Sequence, residues 1–504
     1  MMPSKSPRWR MLCARFLALG AATVAFVWAA PTSAQDGGVN RAFAITPAFS
    51  VTQTYTDNRD LRSVDPQWEL ITQISPGVHI HSRSGRVQGS LDYALNAIVY
   101  SHDSSHNQLQ NSLRATMAAE VVERMAFLNA SANVSQQNIS AFAVQSNDPL
   151  SVNSNRSEVR NFTVTPVLRG RVAGEVDLEA RLTYAKTSGA ASNSIDSTSN
   201  TGSVSASGSA GALGWSVSTS ESGFDNSGGR KTNQDSTNAS LRYTTQGDLS
   251  FSLRYGRETN NVLSAQNRST ATWGLGAEWL PSPRTQVSLQ ADKRYFGNSH
   301  TVSVQHRLQR SLLRFSDTRS ASTDDGNSQR GGAAAYDEVD ALVRPFEPDA
   351  TKRDLLVRTL LASQGGFLSK AVTLQRRQEA SYALQGQRVN LAFTAFQTNT
   401  RRLDGLSSVI DDFSLVNRLQ QHGYSFNGGY QLTPTSTVTL GYNRTTTADS
   451  GVQRGNDQRG LSLSLSTRIA MRVSLSLTAR HVVFDSVAQP YNESSAVASL
   501  SFQF

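Results

Sequence analysis

Side chains able to do chemistry are sparse in this 504-residue chain, and their spacing is that of a strand. His79 and His81 in "HIH" would project to one side, where two imidazoles could share a metal. No third ligand stands near them, and polar residues on a channel rim would look the same. Asp177 and Glu179 also share a face, as paired carboxylates for acid–base work would. The lining of a water-filled channel has that pattern too. There is no G-x-S-x-G, no HExxH and no phosphate-cradling P-loop in the chain, and nothing singles out a nucleophile. The expectation is a protein without catalytic residues, metal or cofactor.

Arginine is the more informative type. Of 48 basic residues, only Lys5, Lys186, Lys231, Lys293, Lys352 and Lys370 are lysine. Arg114, Arg181, Arg242, Arg254, Arg468 and Arg480 fall in the polar register of alternating segments, where they would face a lumen. Guanidinium groups bind carboxylates and phosphates in bidentate fashion. A row of them would draw anionic solutes, uronic-acid polymers included, through its field. The same row would be nearly silent if each arginine were paired with a lumen Asp or Glu. The net charge of +9 would fall to a mild +5 without Lys5, Arg8, Arg10 and Arg15 of the N-terminus, and no dense Lys/Arg block occurs, which argues against a nucleic-acid partner.

The elements that must position these residues read as strands. Phe43, Ile45, Phe49, Val51 and Tyr55 share a face, as do Trp68, Leu70, Ile74, Val78 and Ile80. The stretches "LSLSLSTRI" (461–469) and "VSLSLTAR" (473–480) alternate most cleanly. A helix would return its apolar residues every three or four positions instead. Many segments run about 10–13 residues, against about five or six in globular sheets. Tyr55, Trp68, Tyr100, Tyr184, Tyr255 and Trp279 stand near stripe ends, as girdle residues at a lipid interface would.

Short links at 81–86, 122–125, 169–174, 245–248, 280–284, 432–435 and 470–472 alternate with longer polar ones. The long ones are 56–67, 101–107, 137–157, 187–200, 221–235, 257–268, 401–420, 447–457 and 485–493. This predicts an all-β fold, a transmembrane antiparallel barrel of the outer-membrane type with about 18–22 strands. The upper count divides 300–320 around Leu308–Arg310 and accepts the Ser-rich 201–209 as a strand. The last residues, Ala496, Ala498, Leu500, Phe502 and Phe504, make a one-sided strand closed by a terminal aromatic. That pattern resembles the signal read by the barrel-assembly machinery, and the last strand would pair with the first to remove both edges. Residues 321–369 form the longest link. Within it Leu356, Val357, Leu360 and Leu361 are at helical spacing, and Gly365-Gly366 would stop the helix. Such a loop would either constrict the lumen or lie outside it.

The N-terminus names the compartment. Lys5, Arg8 and Arg10 precede an apolar run from Leu17 to Ala30, and Thr32-Ser33-Ala34 supplies a small-residue cleavage site. The expected organisation is a cleaved signal peptide over 1–34, a short periplasmic segment over 35–42 and a barrel over 43–504. Cys13, the one cysteine, would leave with the signal, so no disulfide is expected. Residues 35–42 are too few for a plug domain, which disfavours a TonB-dependent receptor.

From Phe43 onward the chain resembles the outer-membrane protein family associated with the PEP-CTERM/exosortase system. The resemblance rests on "ITPAFSVTQTYTDN" (45–58), "WELITQISPGVHI" (68–80) and "RVQGSLDYALNAIVY" (86–100). It extends to "ISAFAVQSNDPLSVNSNRSEVRNFTVTPVLRGR" (139–171) and the helix-like "LASQGGFLSKAVTLQRR" (361–377). It implies a Gram-negative outer membrane and a setting beside exopolysaccharide synthesis and export, and it transfers no functional residue. The expected function is a conduit, or part of one, for exported polymer. Its partners would be outer-membrane lipid, the assembly machinery, periplasmic polysaccharide-export proteins and anionic polysaccharide. A general solute porin and a non-conducting surface-anchoring scaffold, plugged by 321–369, are the alternatives.

Overall fold

The computed structural model describes residues 43–504 except 147, 149, 191–195, 228, 246, 323–366, 370 and 406–410. The expected cleavage after Ala34, the segment 35–42 and the loop-helix residues Leu356, Val357, Leu360 and Leu361 lie outside the described residues.

Each alternating segment becomes a strand, and each strand pairs antiparallel with the next. The first are β1 (Phe43–Thr56), β2 (Glu69–Arg83), β3 (Val87–Tyr100), β4 (Gln108–Val122), β5 (Ala126–Asn138) and β6 (Arg156–Val172). Then come β7 (Val176–Gly189), β8 (Ser197–Ala210), β9 (Leu213–Asn226), β10 (Thr232–Thr244), β11 (Leu249–Asn260) and β12 (Arg268–Ser282). The next are β13 (Thr285–Arg294), β14 (Gly297–Arg307), β15 (Ser311–Ser322), β16 (Thr373–Gln385) and β17 (Val389–Arg402). The last are β18 (Arg418–Thr433), β19 (Ser436–Thr447), β20 (Asn456–Ala470), β21 (Val473–Ser486) and β22 (Tyr491–Gln503). One helical turn, α1 (Asp412–Leu415), lies in the β17–β18 link.

The 22 strands form one sheet, and β1 pairs with β22 from Ala48↔Gln503 to Thr56↔Ser495. The sheet is therefore closed and has no free edge. Phe502 stands opposite Phe49 with ring centroids 6.2 Å apart, and the Phe504 amide donates to the Pro47 carbonyl at 3.0 Å. The split at Leu308–Arg310 is real, and the Ser-rich segment is β8.

Side-chain parity divides the wall into two faces. Leu70, Leu109, Leu182, Leu253, Trp273, Trp279, Leu463 and Phe504 are exposed on the outward register. The alternate register carries hydroxyls, amides and charges. Strand spacing and tilt put the backbone walls of such a barrel roughly 40 Å apart, too wide for wall side chains to fill.

Three expectations are corrected. The long links at 187–200, 221–235 and 257–268 are shorter than expected, because β7, β8, β9, β10 and β11 extend beyond the apolar belt. Past that belt the outward face turns polar, and alternation no longer marks a strand. Residues 373–377, placed in a helix-like stretch, begin β16, whose cross-strand pairs with β15 and β17 override local spacing. Tyr100 is not a girdle residue: with Val99 outward it points inward, and it is 2% exposed.

The turn from β6 to β7 uses two successive left-handed residues, Ala173 (φ 52°) and Gly174 (φ 73°). Glycine adopts that conformation freely, whereas alanine does so at a steric cost.

Candidate functional site: the lumen and the loop across its mouth

Near the long-loop ends of several strands, inward positions become apolar. Ile71 of β2, Ile98 and Tyr100 of β3, Val482 and Phe484 of β21 and Tyr491 of β22 are all buried. Their cover is the 139–155 link between β5 and β6, which folds into the mouth. Leu150 and Val152 pack on Ile71, Ile98 and Tyr100. Val144, with Leu61, packs on Val482, Phe484 and Tyr491. Ala141 and Phe142 join Phe367, Ala371, Phe413, Val416 and Leu419 in a third cluster. Leu368 covers Val159 of β6. Burying an aliphatic or aromatic side chain of this size stabilises the docked loop by about 1.5–3 kcal/mol.

Polar contacts stitch the same loop to distant strands. The Tyr100 hydroxyl donates to the Leu150 carbonyl at 2.7 Å, and the Val152 amide to the Arg59 carbonyl at 3.2 Å. Asn456 of β20 donates to the Ala141 carbonyl at 2.9 Å. The Asp412 carboxylate of α1 accepts from the Ser140 hydroxyl and the Ala141 amide, both at 2.7 Å. Asp411 caps α1 by accepting from the Phe413 amide at 3.0 Å.

The central tie is ionic. Asp148, 3% exposed, meets Arg480 of β21, which also donates to the Ser495 hydroxyl at 3.0 Å. Arg156 donates to the Ser146 and Asp148 carbonyls. Removing one partner of such a buried pair leaves an uncompensated charge, at a cost of about 3–5 kcal/mol. Arg480→Ala is expected to loosen the loop without unfolding the barrel. Faster amide exchange at Leu150 and Val152, with unchanged heat-modifiable migration, is the readout. The isosteric pair change Asp148→Asn with Arg480→Met should restore much of the protection.

The six arginines predicted to face the lumen all lie on the inward register, in different company. Arg181 is 2.8 Å from Glu179, Arg254 is 3.0 Å from Asp292, Arg242 meets Glu278, and Arg480 meets Asp148. Arg114 stands directly across from Asp92. Arg468 is exposed beside the short β20–β21 turn. The wall is thus largely charge-compensated, and exposed pairs of this kind add little stability. Glycine makes one of them possible. Arg254 of β11 reaches Asp292 of β13 across β12, where a Cβ on Gly274 would lie 1.9 Å from the Asp292 carboxylate.

The other sequence candidates have partners as well. Asp177 binds Arg171 at 2.6 Å, and Glu179 also binds Arg169 at 2.9 Å. His79 bonds Asp92 at 2.6 Å, while His81 accepts from Arg83 at 2.6 Å. Among the C-terminal residues, Ala496, Ala498, Leu500 and Phe502 hold the seam with β1 from the outward face.

On β8–β10 the inward face is a wall of hydroxyls. Ser203, Ser205 and Ser207 stand opposite Ser220, Ser218 and Ser216. Ser216 and Ser240 are 2.7 Å apart, and Ser220 and Ser236 2.8 Å apart. Apart from its own flanking strands, the infolded loop touches another sector of the wall, β2, β3 and β18–β22.

Loop carboxylates at the mouth are perturbed by local surroundings. Burial pushes the Asp404 carboxyl up, opposed by Arg402 at 3.0 Å. Hydrogen bonds from Ser105 hold the half-exposed Asp103 below the usual carboxylate range.

Sequence reasoning missed the 139–155 loop as the structural occupant of the mouth. A signal for it existed: Ile98, Tyr100, Val482 and Phe484 are apolar on the register that should be polar.

No protein-family model matches the chain, and no curated protein matches it. Solved structures with a similar fold include the siderophore receptor PirA from Acinetobacter baumannii. It is 9% identical with a TM-score of 0.47, over 91% of this chain and 80% of that one. The open form of the ferric-catecholate import receptor Fiu from E. coli K12 is 9% identical, with a TM-score of 0.48. That match covers 94% of this chain and 82% of the receptor. OccAB2 from Acinetobacter baumannii is 11% identical with a TM-score of 0.34, over 93% of this chain and 100% of that one. At these identities the likeness does not extend beyond barrel architecture. Its closed sheet and apolar outer belt make the chain a transmembrane β-barrel of the outer-membrane type.

Proposed function

We propose that this barrel is an outer-membrane conduit, or part of one, for an exported polysaccharide, narrowed at its outer mouth by residues 139–155. The observation that carries the reading is the loop docked on one sector of the mouth, with a lumen wall of small hydroxyls on β8–β10 in another. Serine side chains leave the passage wide and exchange hydrogen bonds with sugar hydroxyls without holding them. The carboxylate partners of the inward arginines favour a neutral or weakly charged polymer over a strongly anionic one. The resemblance of the chain to the PEP-CTERM/exosortase-associated family supports the exopolysaccharide setting.

Planar-bilayer recording of the purified barrel tests this. A small resting current, with brief openings shortened by added host exopolysaccharide, is the expected result. A steady current indifferent to polymer would favour a general solute porin. Absence of current, even with the 139–155 loop excised, would overturn the conduit and leave the anchoring scaffold. A scaffold gains some support from the loop itself, because a docked mouth suits a barrel that passes nothing.

A further inference from the structure

We propose that the outer wall of β15–β20 binds phosphorylated headgroups of outer-leaflet lipid through three pairs of opposed arginines. Arg319 stands directly across from Arg376, Arg401 from Arg418, and Arg444 from Arg459. These are the three Arg–Arg register pairs among the described strands, and they fall on three successive hairpins. All six residues share the outward parity of Phe315, Phe393, Tyr424 and Tyr442, and all lie toward the long-loop ends of their strands.

The inner wall is arranged in the opposite way. There Arg114 faces Asp92, Arg169 faces Glu179, and Arg171 faces Asp177. Like charges directly opposite one another destabilise a sheet, whereas opposite charges support it. An arginine-rich composition alone would not sort the two patterns by face. Pairs repeated on one face, at one end of the strands, point to an anion supplied from outside.

The carboxylates on this surface orient the guanidinium groups more than they neutralise them. In the outward register of β15–β21 six arginines meet three acids, Asp317, Asp457 and Asp485. Asp317 takes Arg376 at 2.6 Å and His300 at 3.1 Å. Asp457 lies between Arg444 at 2.8 Å and Arg459 at 2.7 Å, and Asp485 is 3.1 Å from Arg459. Arg418 donates to the neutral Asn399 side chain at 2.8 Å, so the Arg401–Arg418 pair carries the most uncompensated charge. Arg–phosphate pairs are commonly bidentate, and two guanidinium groups across a strand gap suit one phosphate.

Depth selects the source of that phosphate. Tyr424 and Tyr442, with rings 5.9 Å apart, lie on the same outer face, and Tyr424 stands opposite Arg444. Tyrosines of this kind mark the boundary between hydrocarbon and headgroup. The arginines therefore lie at or beyond headgroup level, where a phosphorylated glycolipid anchored in the leaflet presents its anions.

The test is binding to the full-length barrel in neutral detergent, read as retained lipid by native mass spectrometry and as a shift in heat-modifiable melting. Diphosphoryl lipid A is the probe, and the same lipid without phosphate and inorganic phosphate alone are the comparators. Diphosphoryl lipid should bind and raise the melting temperature, and the dephosphorylated lipid should bind at least about tenfold more weakly. R401Q with R418Q should lose most of that difference, R401K with R418K should retain part of it, and inward R169Q with R181Q should retain all of it. Equal binding of the two lipids to the unaltered protein would overturn the proposal, whatever the variants do. An equal effect from inorganic phosphate, or equal loss in the inward variant, would overturn it too.

Discussion

A barrel in which residues 141–152 are replaced by a short Gly-Ser linker is expected to carry a several-fold larger ionic current than the intact protein. Those residues hold the buried side chains of Phe142, Val144, Asp148 and Leu150 at the mouth. Their contacts reach β3, β20, β21 and β22, so their removal frees one sector of the opening at once. The linker leaves β5 and β6 paired, since their register from Ala126↔Leu168 to Asn138↔Arg156 lies below the loop. Ile98, Tyr100, Val482 and Phe484 would then meet water. Exposing such groups costs about 1.5–3 kcal/mol each, a loss the closed barrel should absorb. Bilayer conductance before and after replacement, with heat-modifiable migration as the control for folding, decides the matter. An unchanged current in a folded variant would mean that the loop does not limit passage.

The second large effect concerns closure. Removing Phe504 and converting Phe502 to Ser should sharply lower the amount of folded barrel recovered from outer membranes. The lost contacts are the Phe49–Phe502 ring pair and the Phe504 amide bond to Pro47, both at the seam. The seam is the one pairing in the sheet formed by strands at opposite ends of the chain. Its loop-closure entropy must be met before any of its bonds contributes. An unclosed barrel would also leave two unpaired edges in hydrocarbon, where unsatisfied backbone groups cost several kcal/mol each. The amount of heat-modifiable species in membrane fractions measures the effect. Converting Ser501, on the inward face of the same strand, to Ala should leave it unchanged.

The architecture was legible because a lipid-facing wall imposes its period on the sequence. Residues 461–469 and 473–480 could be placed as β20 and β21 from alternation alone. The count reached 22 because even the Ser-rich β8 keeps strict parity on its inward side. Legibility failed where the lipid ends. The outer stretches of β10 (232–235) and β11 (257–260) are polar on both faces and read as loop, although the backbone continues in the ladder. The lumen arginines could be assigned to a face but not to partners. Arg254 and Asp292 are on strands two apart, and Arg480 and Asp148 are 332 residues apart in the sequence.

By itself, then, the sequence determined a many-stranded barrel, its hairpin order, its inward and outward faces and the strand that closes it. All of these follow from local periodicity, which a strand carries within its own residues. Only the tertiary structure decided which loop enters the mouth, and which arginines face carboxylates and which face one another. The dock for residues 139–155 is assembled from β2, β3, β21 and β22, and no one segment contains it. The opposition of Arg401 and Arg418 depends on register across a hairpin, where a slip of one residue would place every contact differently.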